Sequence, residues 1–219
     1  MRLTQVILLT TLLAFNAKSF GQVFTDQNPY SSSLLQTKAN PINAEVEGSQ
    51  YFYKFDLTSK VYKNGKYLVT RLSNYDAYND EIVISDEKNE KFFMTKNEEL
   101  TTVIGADKFV YFSLLGYFMV LNEGEVLLLK KPIKKFVEAT PAKTGYDTGN
   151  KAHFIDEVKY YIITPKKKTP KEIKLKKKDL LNNLDNDHKK SMEVYLEKNK
   201  NSLRKEEDFI QALNAIKSY

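Results

Sequence analysis

The 219-residue chain contains no cysteine, only two histidines and only eight glycines. Without cysteine there can be no disulfide, no cysteine-ligated zinc, no iron–sulfur cluster, no thiol nucleophile and no lipid anchor through a cysteine. Two histidines leave most histidine-dependent chemistry short of parts. His153 lies near Asp156 and Glu157, and His188 lies beside Asp187, but neither makes a familiar metal spacing, so both are expected as exposed turn residues. The sparse glycines form neither a phosphate-binding loop nor a dinucleotide fingerprint, and no serine sits in a Gly-x-Ser-x-Gly elbow. Residues 76–81 resemble a calcium loop only superficially, since the glycine and the alternating ligands are missing. No metal, cofactor or catalytic residue is therefore expected. Carboxylate-based hydrolysis stays open as a minor alternative, because spacing along the chain does not fix spacing in space.

What is present is ordinary for a globular protein: 42% apolar and 28% charged residues, with a net charge of +6. The N-terminus starts with Arg2 and continues with an apolar run over residues 6–15. Small residues Ser19 and Gly21 then occupy the −3 and −1 positions before Gln22. This pattern predicts a signal peptide over residues 1–21, hence an exported protein, periplasmic, envelope-bound or secreted. The run is too short to span a bilayer, which takes about 20 apolar residues, and no other stretch is long enough.

Residues 22–50 are polar, with Ser31, Ser32 and Ser33 in a row, and are expected to form a flexible lead-in. From 51 to 165 the signal is β. Candidate strands cover 51–57, the two arms around Asn64-Gly65, 81–85, 91–94, 108–115, 117–121, 125–131 and 157–164. Asn-Gly accepts positive φ at both positions, which makes a tight hairpin the clearest local feature of the chain. Strands this close together, with no helical pattern between them, pair antiparallel. The expected fold is α+β: an antiparallel meander closing into a barrel or sandwich, followed by a helical tail. That tail spans 166–219. It opens as a basic linker and continues as three short helices, marked by Leu180, Leu181 and Leu184, by Met192, Tyr195 and Leu196, and by Leu203, Phe209, Ile210, Leu213 and Ile216.

Two features could carry binding. Residues 159–205 hold 15 Lys/Arg against 6 Asp/Glu, so the positive charge is concentrated there. Lys166, Lys167 and Lys168, with Lys176, Lys177 and Lys178, are candidates for contact with an anionic envelope surface; a solvated, solubilising lysine surface is the structural alternative. The near absence of arginine argues against bidentate phosphate recognition, and the export signal argues against nucleic acid. The second feature is the segment 72–82, where Tyr75 and Tyr78 bracket Asp76 and lead to Asp80. Aromatic hydroxyls beside carboxylates suit sugar or peptide binding, and equally suit a structural connection closed by an Asx turn.

Residues 75–84 (Tyr-Asp-Ala-Tyr-Asn-Asp-Glu-Ile-Val-Ile) follow the Asn-Gly hairpin. Segments 116–121, 125–130, 178–181 and 204–208 and the Ser-Phe-Gly-Gln at 19–22 accompany them. Together these resemble a family of uncharacterised exported β-rich proteins of the Bacteroidota. The likeness covers most of the chain after residue 21. It implies an envelope or secreted location and a β-rich domain with a helical tail, and it brings no activity and no catalytic residues. The expectation is a non-enzymatic exported binding, structural or adaptor module with an envelope partner; the alternative is a β-barrel that binds a sugar, peptide or lipid.

Overall fold

A computed structural model of the chain describes residues 34–39, 42, 46–141, 149–199 and 203–216. The expected signal peptide lies outside them. Eleven strands form one antiparallel sheet: β1 (Leu35–Lys38), β2 (Leu57–Lys63), β3 (Lys66–Asp76), β4 (Glu81–Ser85), β5 (Lys91–Met94), β6 (Leu100–Ile104), β7 (Asp107–Phe112), β8 (Gly116–Val120), β9 (Leu127–Val137), β10 (His153–Thr164) and β11 (Lys167–Ile173). Three helices follow, α1 (Lys177–Asn183), α2 (Asn186–Asn199) and α3 (Glu206–Ala215). The strand order is β1-β5-β4-β3-β2-β6-β7-β8-β9-β10-β11. The α+β class is as expected, but the sheet is not closed into a barrel, because β1 and β11 end it without pairing to each other.

The order contains two meanders, β2–β5 and β6–β11, joined where β6 pairs with β2. The connection from β5 to β6 must pass four strand positions in five residues. In a flat sheet that is about 19 Å, at about 4.8 Å per strand, close to the full reach of an extended link. The link is not extended: Leu100 N donates to Asn97 O, and Glu99 N to the Asn97 side chain. The sheet must therefore curl, and it does. Thr102 of β6 donates its hydroxyl to Met94 Sδ of β5 at 3.4 Å, both residues being buried. The concave side of the curl is filled by Val61, Val69, Tyr75, Ile82, Phe109 and Tyr117 among others. At the far end, Lys134 N of β9 donates to Ala77 O, just beyond β3.

Asn64-Gly65 forms the expected turn, with φ of +50° and +76°. Three expectations are corrected. Residues 51–56 are not part of a strand, and Leu57 begins β2. They cross the sheet end as bends, with Phe52 N donating to Tyr75 O and Tyr53 N to the Asn74 side chain, so that the two rings pack on the concave core. Within the expected lead-in, residues 35–38 form β1 and Glu47 bridges to His153. The expected basic linker contains β11, a sheet edge along which lysines and Pro170 are compatible with pairing on one side only.

The helices cover β9–β11 and do not stand apart. Phe209, Leu213, Met192, Leu196 and Leu180 pack with Leu128, Ile162 and Ile173 of the strands. The β8–β9 connection is their socket. Glu123 N donates to Asn214 Oδ1, and a Cβ on Gly124 would lie 2.8 Å from Leu213 O. Tyr160 OH donates to Glu206 Oε2 at 2.6 Å, fixing the start of α3.

Candidate functional site

The Tyr–Asp segment comes together in space, but its polar atoms face inward. Asp76 is fully buried and its carboxylate accepts four hydrogen bonds: from Gln50 Nε2 (2.6 Å), Asn79 Nδ2 (2.8 Å), Asn79 N (3.0 Å) and Tyr78 N (3.1 Å). This is an Asx turn closing the β3–β4 connection. Tyr75, also fully buried, packs on Phe109 and donates its hydroxyl to Asp80 Oδ1 at 2.8 Å. Burial, reinforced by the Asp80 charge, pushes its phenol far above the ordinary tyrosine range. Asp80 has a φ of +56° and also accepts from Tyr117 N (3.1 Å) and Lys131 Nζ (2.7 Å). Lys131 continues to Leu115 O at 2.6 Å. The cluster thus bolts the β3–β4 turn to β8 and β9. Of the four residues, Tyr78 alone is exposed, its ring edge-on to Phe154.

Next to this bolt, Glu81 and Tyr117 are half-buried and buried. Burial raises the Glu81 carboxyl against the opposing pull of Lys96, 2.5 Å away. Glu81 Oε2 and the Tyr117 hydroxyl lack a hydrogen-bond partner among the described residues. His188, expected as an exposed turn residue, is instead 1% exposed, and its ring nitrogens lie 2.8 Å from Asp185 Oδ1 and 3.1 Å from Glu125 Oε2. It ties α2 to the β8–β9 connection. His153 starts β10, its Nδ1 2.9 Å from Lys151 O. Among the described residues no group of three or more His, Asp or Glu is arranged to hold a metal ion, and no helix is long and apolar enough to cross a membrane.

The lysine candidates lie along one edge. Lys166, Lys167, Lys168, Lys171, Lys174, Lys176, Lys177 and Lys178 are all exposed, and none makes an ion pair among the described residues. Lys166–Lys168 stand at one end of β11 and Lys176–Lys178 at the start of α1. They are not one cluster. They form a strip about 20 Å long, at roughly 3.3 Å per strand residue. Glu172, the acid among them, is turned to Lys159 and Tyr161.

A further surface was not singled out in the sequence. The side of β7–β10 away from the helices carries Phe118, Leu129 and Ile163, buried, with Val110, Phe112, Val120, Leu127 and Tyr161 partly buried around them. Phe112, Phe118 and Tyr161 stack edge to face at 5.7 and 4.8 Å. Beside this row runs a groove of about 470 Å³, floored by Val110, Val120, Leu127 and Leu129. The signal was legible: residues 117–121 form an unbroken apolar run, as in a strand whose two faces both need cover.

At the tip of the β7–β8 hairpin Leu114 is 99% exposed and held at a φ of +66°. A branched aliphatic side chain there costs backbone energy and covers nothing. Leu114→Asn is expected to stabilise the fold by about 0.5–1 kcal/mol, seen as a higher urea midpoint at unchanged slope. Comparison with protein-family models, curated proteins and solved structures finds no match to this chain, so its fold and its surfaces carry the functional reading by themselves.

Proposed function

We propose that this is an exported, non-enzymatic binding module of the cell envelope, which meets an anionic surface or an acidic envelope partner along the β11–α1 edge. The observation that carries this reading is the strip of eight exposed lysines without an ion-pair partner among the described residues. Several lysines elsewhere are paired, Lys130 with Glu206, Lys131 with Asp80 and Lys91 with Asp56. A sheet edge needs one or two lysines to discourage strand addition. Eight in a row exceed that need and produce a field that gathers polyanions, with counterion release as the driving term. Export follows from the N-terminal pattern and from the resemblance to exported Bacteroidota proteins. The absence of enzymatic activity follows from the poverty of catalytic residue types.

The test is co-sedimentation of the purified protein with vesicles of anionic or zwitterionic lipid at rising salt. Binding is expected on anionic vesicles only, falling steeply between about 50 and 200 mM salt. Lys166→Glu/Lys167→Glu/Lys168→Glu is expected to weaken it at least about tenfold while the melting temperature hardly moves, because all three side chains are in solvent. Salt-independent binding, or an unaffected triple variant, would discard the reading.

A further inference from the structure

We infer that the outer face of β7–β10 is a self-association surface that takes a second copy of this chain, face to face. A sheet with apolar residues on both sides requires a layer on each. The inner side of β7–β10 has its layers, in the concave core and the helices. The outer side does not: among the described residues, the hydrophobic side chains packed on Phe118, Leu129 and Ile163 all come from β7–β10 themselves. The residues that would fill a sandwich interior remain partly open along the groove.

The charges at the ends of that groove identify the occupant. Ser113 N donates to Glu98 Oε1 at 2.6 Å, which places Glu98 at the hairpin-tip end. Lys108 lies opposite Val120, at the other end, with Glu123 just beyond β8. Lys108, Glu98 and Glu123 are exposed and make no ion pair among the described residues. A bilayer would call for a rim of basic charge, whereas this rim carries one basic and two acidic groups around an apolar centre with an aromatic row, the composition of a protein–protein contact. The arrangement is also self-complementary. Under a two-fold axis that lies in the plane of the interface and runs across the strands, the Lys108 end of one copy meets the Glu98 end of the other, twice. Two such faces stack as sheets do, about 10 Å apart, and the pair forms a sandwich that the single chain lacks.

Sedimentation velocity of the purified full chain over a range of concentrations tests this. The expected result is a monomer–dimer equilibrium. Val120→Lys should give a monomer that still melts cooperatively. Lys108→Glu, on an exposed side chain, should raise the dissociation constant about tenfold or more, since each substitution acts twice across the axis. Combining Lys108→Glu with Glu98→Lys should restore the dimer. A wild-type monomer at the highest soluble concentration overturns the inference, and so does a monomer that instead takes up a small apolar ligand in the groove. A dimer indifferent to both single substitutions, or not restored by the charge exchange, overturns it as well.

Discussion

Gly116→Ala is expected to cost the fold about 3 kcal/mol or more. Gly116 has a φ of +88°, and a Cβ there would fall 1.7 Å from Asp80 Oδ2 and 2.7 Å from Lys131 Nζ. The methyl group would displace the Asp80 carboxylate that receives Tyr75, Tyr117 N and Lys131, so the bolt between the β3–β4 turn and β8–β9 opens. Gly65→Ala is the control. Its φ of +76° is similar, but nothing lies within 4 Å of the added carbon. It should cost only the backbone term, about 1 kcal/mol. Urea denaturation of both variants separates strain from collision, and equal losses would show that the bolt adds nothing.

Asp76→Ala is expected to destabilise by about 3–4 kcal/mol, because it leaves four donors, among them the Gln50 and Asn79 amides, without their acceptor inside the protein. Asp76→Asn keeps one acceptor oxygen for the two backbone N–H groups and should lose clearly less. Tyr75→Ala, at a fully buried ring, belongs with the severe class at about 3–5 kcal/mol, whereas Tyr78→Ala, at 43% exposure, should cost far less. Were this segment a sugar or peptide site, the tyrosine truncations would weaken ligand binding and leave the melting temperature unchanged. Thermal melts of the four variants decide between the two roles.

The turns and helices were the legible part of the sequence because each depends on local chemistry. Asn64-Gly65 states its own backbone angles, and the leucines of 180–196 and the final Phe209–Leu213 pattern mark the buried side of each helix. Three strands escaped reading, β1, β6 and β11, and the last two take their character from their neighbours. In β6, Thr102 is buried because it lies over Met94, not because threonine is apolar. In β11 the lysines disguise a strand that needs a partner on one side alone. The opposite error occurred at 51–56, where aromatic residues serve the core from a bend. At the candidate site the residue types were visible but their direction was not. Whether Tyr75 and Asp76 face a ligand or each other's neighbours depends on the curl, and the curl depends on β6.

That dependence has a consequence for how the chain assembles. Each hairpin of the first meander, β2–β3, β3–β4 and β4–β5, joins residues that follow one another closely and can form within microseconds. The β2–β6 ladder pairs residue 59 with residue 104 and residue 63 with residue 100, so it bears the loop-closure entropy of the whole first meander. Until residue 104 is available, the outer edge of β2 presents unpaired N–H and C=O groups beside Val61, a template for another chain. A nascent chain that emerges N-terminus first therefore passes through a stage with a complete four-strand meander and an open edge. Holding that species apart from its copies until β6 arrives is the step on which the yield of folded protein turns.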